Sequence, residues 1–386
     1  SEVVVIGASQ AGLLCAAELA RGGIAVEVFE NLAAPEEVLP RTLIVTPHLG
    51  QVLGDSAGLP VRSTVSAFRI WVNGRFTEVL ISEPDWVIDR RDLIRSLAEV
   101  ATSSGVRIHW GVRLLSVSPT PHGFELLFLD RNSGQFFKRT VSVLVAADGA
   151  TSTVAQSLNA NGKLTVPILQ AYVRTAEPVD PCVVDTWFLP ERTPYFFWQI
   201  PDSERTAAVG CVVPEGRKGK REFFRFLREI GVDPLRVEAA LVPLYDPLEK
   251  PYRRFGNAEL YLVGDAAGHV KVTTVGGTVT GLLGARAAAR AILRRTSYVR
   301  ELRELRRELY VHYLLRRVLD AFDSGDYDRL VACLNRRVLG LLRDVPRDRF
   351  ASIFLRTLLA QPALAVLGVK GLVRSTWIRL RGRSRT

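Results

Sequence analysis

The sequence predicts a mixed α/β chain in three parts: a parallel-sheet nucleotide-binding domain, an inserted antiparallel β-sheet domain and a helical C-terminal region. Three observations carry this. Residues 2–30, EVVVIGASQAGLLCAAELARGGIAVEVFE, read as strand, glycine turn, small-residue helix and strand. Residues 162–241 turn aromatic and β-branched, with Trp187, Phe188, Tyr195, Phe196, Phe197 and Trp198 on short spacing. After Ala285 the pattern is helical almost to the last residue.

Bulk properties narrow the class. At 386 residues, 47% hydrophobic and 24% charged, the chain supports two or three domains with sizeable cores and is not a disordered protein. Cys15, Cys182, Cys211 and Cys333 lie far apart and form no CxxC pair, so neither a disulfide framework nor a structural zinc is expected, and no metal site is predicted. The first residues run directly into an apolar strand, no secretory leader is expected, and no run reaches the roughly 18 apolar residues of a membrane span. A cytoplasmic monomer is the expectation. The net charge of +11 is uneven: residues 336–386 hold 12 Lys or Arg against Asp344 and Asp348. Arg outnumbers Lys and Met is absent, a bias of the kind that growth temperature or genome composition produces.

The first unit has the organisation of a Rossmann-like dinucleotide site. Gly7 permits the sharp turn after the first strand, Gly12 permits close helix-to-strand packing, and Ala8 and Ala11 keep the turn small. Ser9 stands where the middle glycine of G-x-G-x-x-G is usual. Glu30 closes the second strand, where a carboxylate accepts from ribose hydroxyls. Arg41 lies in the loop expected over the nucleotide. Residues 67–81 alternate apolar and polar around Asn73-Gly74, a hairpin signal. Arg90 enters a helix over residues 91–103, where its side chain suits either a phosphate or a solvated surface. Residues 106–145 read as a meander ending in a buried strand and the acidic turn Asp148-Gly149. The expected division is 1–60, 85–160 and 255–292 for the nucleotide domain, 61–84 and 161–254 for the sheet domain, and 293–386 for the helical region.

Residues 263–284, VGDAAGHVKVTTVGGTVTGLLG, join a buried strand to a helix through Gly264-Asp265 and the step Gly276-Gly277. The glycines let backbone approach a flat ligand, and helix N-terminal amides favour negative charge such as that on the pyrimidine side of a reduced flavin. Thr274 lies in the same turn. The aromatic cluster of the sheet domain suits either a core or the wall of a long apolar pocket. At the C-terminal end, the apolar residues 350–372 are followed by Arg374, Trp377, Arg379, Arg381, Arg383 and Arg385. That combination suits either the surface of an anionic membrane or a packed helical tail with a frayed basic end, and no nucleic-acid recognition fold accompanies the charge.

Taken together, Gly7 to Glu30, Asp148-Gly149 and Gly264-Asp265 resemble the three fingerprints of FAD-dependent oxidoreductases of the p-hydroxybenzoate hydroxylase fold. The resemblance implies FAD, with Gly7, Ser9, Gly12, Glu30 and Asp265 holding pyrophosphate and ribose and Asp148 and Gly149 lining the cleft. Hydroxylases of that fold usually follow Gly-Asp-Ala-Ala with a His and a Pro-x-x-Gly-Gln-Gly-x-Asn run, absent here. GDAAGHVKVTTVGGTVTGLL is instead similar to the geranylgeranyl reductase family, and Phe196-Phe197-Trp198-Gln199-Ile200-Pro201 to its Tyr-x-Trp-x-Phe-Pro motif, which implies Phe196, Trp198 and Pro201 as substrate-facing residues; Trp187 and Tyr195 of the aromatic cluster join them if that cluster walls a pocket. The likeness covers residues 1–300. Two departures stand out: Pro40-Arg41-Thr42 where archaeal members often place a Cys-Gly-Glu turn, and Asp202-Ser203-Glu204 where a Lys is common.

The resemblance implies a flavoprotein that saturates C=C bonds of a prenyl lipid in isoprenoid or ether-lipid biosynthesis, with NAD(P)H or ferredoxin as electron donor. Two other readings accompany it: an FAD-dependent hydroxylase or epoxidase of an apolar substrate, and a flavin- or lipid-binding paralogue without turnover. No side chain is an obvious acid for the proton in alkene reduction: water, His269, Tyr195 and the flavin itself are all open, His269 equally suits a structural role, and Trp198 stands beside them as a candidate in the substrate domain. The expected setting is peripheral on the inner face of the membrane.

Overall fold

The computed structural model describes residues 2–54, 58–158, 164–213 and 216–383. In chain order it runs β1 Glu2–Ile6, α1 Gln10–Arg21, β2 Ala25–Glu30, β3 Thr42–Val45, α2 His48–Leu53, β4 Val61–Val72, β5 Arg75–Asp89 and α3 Arg90–Ser103. Next come β6 Arg107–Trp110, β7 Val112–Thr120, β8 Gly123–Asp130, β9 Phe136–Val141, β10 Val143–Ala146 and α4 Thr153–Ser157. The middle of the chain supplies β11 Thr165–Thr175, β12 Val183–Trp187, β13 Phe197–Pro201, β14 Thr206–Val212, α5 Gly216–Glu229, β15 Val232–Pro243, β16 Tyr252–Phe255 and β17 Ala258–Leu262. The rest is helical: α6 Thr278–Arg294, α7 Tyr298–Glu301, α8 Arg303–Leu319, α9 Ser324–Ala332, α10 Arg336–Asp344, α11 Phe354–Ala360 and α12 Pro362–Arg383, with short helical turns at Gly264–Ala267 and Arg347–Ser352.

The unbroken apolar run of β1 is explained by burial on both faces. Val3 and Val5 pack with α1, α3 and α6, whereas Val4 and Ile6 pack against Phe124, Leu126 and Phe128 of β8. Strand order in this six-stranded sheet is β16-β17-β10-β1-β2-β6, parallel except for the β16–β17 pair. The meander β7-β8-β9 forms a separate antiparallel layer over it. Both acidic turns therefore leave the carboxyl ends of neighbouring parallel strands, the edge at which such sheets bind ligands.

An eight-stranded sheet, β15-β11-β14-β13-β12-β4-β5-β3, makes the second layer. The β4–β5 hairpin turns at Asn73 and Gly74, both at positive φ (48° and 75°), as a tight primed turn requires. Two expectations are corrected here. The sheet is not wholly antiparallel, because β4 and β12 pair in parallel and join the two sequence segments. It also takes in residues assigned above to the nucleotide domain: β3 pairs with the end of β5, Thr42 opposite Asp89 and Val45 opposite Trp86. The hairpin strand outlasts the boundary at residue 84 because its far end finds a new partner.

Helices α8, α9 and α12 cover one end of the large sheet through Val318, Phe322, Tyr327, Cys333 and Leu367, packed against Val72, Ile70 and Phe188. The C-terminal region is thus part of the wall around the site.

Candidate functional site

A single cavity of about 1320 Å³ runs from the β1–α1 turn, under the Gly264–Thr278 loop, to the large sheet and the C-terminal helices. At the nucleotide end the backbone has no room for side chains. Gly7 adopts φ +100°, and a β-carbon there would lie 2.5 Å from the Ala147 carbonyl oxygen. Ser9 takes over as N-cap of α1: its hydroxyl accepts from the Gly12 amide (3.3 Å) and donates to the Ala147 carbonyl (3.0 Å). The serine that breaks the glycine pattern thereby ties the phosphate turn to the neighbouring strand end.

Glu30 accepts from the Ala8 amide (2.7 Å) and the Leu32 amide (2.9 Å), fixing its carboxylate at the end of β2 beside the turn. Arg41 and Arg90 both line the cavity. Burial pushes both guanidinium pKa values down, and Asp265 and Glu238 oppose that for each. They remain cationic, and so furnish positive charge at the cradle suited to a pyrophosphate. Asp148 and Gly149 line the same cleft. The Asp148 carboxylate accepts from the Ser152 hydroxyl (2.6 Å) and the Val154 amide (3.1 Å), so it holds the start of α4. Burial pushes its pKa up against those hydrogen bonds.

Across the cleft, Gly264, Asp265, Thr274, Gly276 and Gly277 also line the cavity. Gly277 is the N-cap of α6 and makes no side-chain cap, which leaves the first-turn amides directed at the cleft. Val275 beside it has φ 48°, an outlying conformation for a β-branched residue, and its side chain packs with the apolar wall of the large sheet. A crowded glycine turn, paired arginines and an uncapped helix start at opposite sides of one cleft fit FAD: Gly7, Ala8, Ser9, Ala11, Arg41 and Arg90 toward the pyrophosphate, Glu30 toward the ribose, Gly276 and Gly277 toward the ring.

Beyond the cradle the cavity is apolar. Phe196, Trp198 and Ile200 project into it from β13 and its approach, together with Phe68 and Ile70 of β4 and Phe188. Gly210 makes room for the Trp198 indole, since a β-carbon there would lie 2.2 Å from its ring. Leu315, Leu319 and Leu330 close the far side from α8 and α9.

Several expected residues lie elsewhere. Gly12 is not on the cavity surface; it packs behind the turn, where a β-carbon would meet the Gly7 carbonyl oxygen at 2.1 Å. His269 is 2% exposed and packs on Gly284 of α6, whose added β-carbon would sit 2.0 Å from its ring. Tyr195 is buried under the Arg316 guanidinium, 4.4 Å from its ring centre, off the cavity. Trp187 and Pro201 fall on the wrong face of their strands. In the β12–β13 register Trp187 lies opposite Phe197 and Thr186 opposite Trp198, and residues that pair share a face. Trp187 therefore packs on Phe226 of α5 (5.1 Å), and Pro201 shares the Phe197 side.

The titratable groups that do reach the apolar part of the cavity are Lys271, His312, Arg347 and Asp348. The Lys271 ammonium donates to Asp348, which also accepts from the Thr46 hydroxyl. Burial pushes the Asp348 carboxyl up, but Lys271, the Thr46 hydrogen bond and Arg347 outweigh it and hold the pKa at about 2. Arg347 pairs with Asp85 and lies 4.8 Å over the Phe68 ring. His312 bonds Thr273 through Nδ1 and Glu308 through Nε2, and Glu308 accepts from the Phe350 and Ala351 amides (2.8 Å each). Lys271 lies in the Gly264–Gly277 motif; its partner Asp348 comes from 77 residues away, and no spacing signal marks it.

His312 is the pH-sensitive member. Burial pushes its pKa below 6.5, Lys271 pushes the same way, and Glu308 and Asp348 oppose. A base with a depressed folded pKa contributes stability that is present above pH ~6.5 and lost as pH falls through that region. Wild type is expected to melt lower at pH 5 than at pH 7.5, and His312→Gln to narrow that difference, read as Tm at the two pH values, with His48, which burial also depresses, keeping part of it.

A dinucleotide cradle opening onto an apolar slot, with a helix start aimed between them, defines an FAD-dependent oxidoreductase. The chain belongs to the FAD binding domain family, whose model matches residues 1–294. Among curated proteins it is 26% identical to a geranylgeranyl diphosphate reductase of Rhodobacter capsulatus, over 76% of this chain and 75% of that one. It is 24% identical to a digeranylgeranylglycerophospholipid reductase of Methanococcus vannielii, over 72% of each. A geranylgeranyl bacteriochlorophyll reductase-like protein of Thermoplasma acidophilum shares the fold, with a TM-score of 0.79, 19% identity, and 95% and 98% of the two chains covered.

Proposed function

We propose that this flavoenzyme saturates C=C bonds in the prenyl chains of a lipid. The observation that carries the reading is the continuity of the cavity: the cradle for the cofactor passes without a barrier into an apolar slot walled by Phe68, Phe188, Phe196 and Trp198. The names of the related reductases support it. Bound FAD, when reduced, would supply a hydride (one proton with two electrons) to each double bond, and the second hydrogen would be a proton from solvent.

The chain's own residues contribute orientation and dryness. Isolated alkenes carry no polar handle, so the slot has to place them by shape, and the aromatic walls and leucines of α8 and α9 do this while excluding water. Lys271 and Asp348 at the wall neutralise each other, so the slot carries no net charge from this pair to draw in water. A digeranylgeranyl glycerophospholipid in an ether-lipid pathway is the finer form of the proposal, favoured by the archaeal relatives' names.

The test is anaerobic. Protein with chemically reduced flavin is given geranylgeranyl phospholipid, and the product is weighed. A gain of two hydrogens per double bond is expected. No mass gain, or oxygen consumption with a hydroxylated product in air, overturns the proposal.

A further inference from the structure

Helix α12 is apolar on two opposite faces, and only one of them is buried. Leu364, Leu367 and Gly371 face α8 and α9, held there by Lys370 and Arg374, which pair with Asp326. On the opposite side Val366, Val369, Val373 and Trp377 recur at three- and four-residue spacing, 52–71% exposed. Leu355 and Leu359 of α11 add one turn more, 66% and 73% exposed. Other large apolar side chains exposed among the described residues stand singly, as Leu164 and Leu248 do, or line the edge strand β15 at Leu235, Val237 and Leu241, where no basic cluster follows.

We propose that the outer face of α11 and α12 docks on the surface of an anionic lipid bilayer. Charge selects this occupant: after Asp348 the sequence contains no Asp or Glu, while Arg349, Arg356, Arg379, Arg381, Arg383 and Arg385 follow in addition to Lys370 and Arg374, which Asp326 already pairs; Arg385 lies outside the described residues. Among the described residues no single helix is long and apolar enough to cross a membrane; α11 and α12 pass that test only together, bent by 114°. The inner face of α12 is covered by protein, so lipid cannot surround it, and the pair lies along the interface. Position adds to the argument. Phe350 and Ile353, immediately before α11, line the cavity, so the docked face adjoins the apolar slot. The surface is read from exposure and charge alone and stands whichever reaction the site performs.

The test is co-sedimentation of the full chain with vesicles, phosphatidylcholine alone against phosphatidylcholine with phosphatidylglycerol. Wild type is expected to favour the anionic vesicles at least tenfold and to lose part of that at high salt. The Val369→Asp/Val373→Asp double variant is expected to lose binding more than tenfold, with an unchanged circular dichroism melt. Trp emission is expected to shift to the blue on binding, and to do so less in Trp377→Phe. Equal sedimentation of the double variant and wild type, no preference for anionic lipid, or a stable dimer in solution that the double variant dissociates would overturn the proposal, the last by assigning the face to a second copy of the chain.

Discussion

Asp348→Ala is expected to lower stability by about 3–5 kcal/mol, because it leaves the Lys271 ammonium buried without its counter-charge. The Lys271 side chain is 8% exposed and that of Asp348 2%, so water cannot take over. The loss extends past the pair. Asp348 belongs to the turn Arg347–Ser352, which is tied to Thr46, Lys271, Glu308 and, through Arg347, to Asp85. Removing the central anchor loosens a segment that forms part of the cavity wall. Lys271→Met combined with Asp348→Leu is expected to lose clearly less, since no charge is then stranded and only the Thr46 hydroxyl is left without its acceptor. Urea unfolding at pH 7 separates the two variants; similar loss in both would refute the charge argument. The acid limb supplies a second check. A carboxylate with its folded pKa depressed to about 2 contributes stability present above pH ~3.8 and lost as pH falls toward 2, on the order of 2 kcal/mol for one buried group. The double variant should lack that loss.

Gly12→Val is expected to abolish FAD binding, with a dissociation constant raised at least 100-fold and a colourless purified protein. The physical cause is backbone contact. A β-carbon at residue 12 lies 2.1 Å from the Gly7 carbonyl oxygen and 2.9 Å from the Ala147 β-carbon, and neither is the flexible end of a side chain. Helix α1 has to move away from β1, taking with it the amides that face the pyrophosphate. Ser9→Ala is the graded control: it removes the α1 cap and the bond to Ala147 at a cost of about 1 kcal/mol while leaving room for the turn. Flavin fluorescence titration should rank wild type, Ser9→Ala and Gly12→Val in that order, and tight binding by Gly12→Val would contradict the packing account.

These two residues mark how far sequence reasoning reaches. The role of Gly12 is local, set by the four residues between it and Gly7 and by the strand before, and the period of β1 and α1 makes it legible. Asp348 is as central to the site, yet its meaning depends on Lys271, Thr46 and Arg347 meeting in space, and nothing in the C-terminal sequence announces that. Trp187 shows a middle case. Its strand is legible, but which face it presents depends on pairing Thr186 with Trp198, and a shift of one residue reverses every side chain. His269 and Tyr195 were attractive as acids by type and position, and both are consumed by packing, one on Gly284 and the other beneath Arg316.

By itself, then, the sequence determined the nucleotide unit, the two acidic strand-end turns, the aromatic sheet and the basic helical end, because each rests on periodicity, glycine placement or composition within a short window. Only the tertiary structure decided that β3 and the end of β5 join the large sheet, that the slot is walled by α8 and α9, and that a buried ion pair from distant segments stands at its edge. The reason is range: local pattern sets which backbone forms, whereas the side chains that share a cavity are chosen by register and packing between elements far apart in the chain.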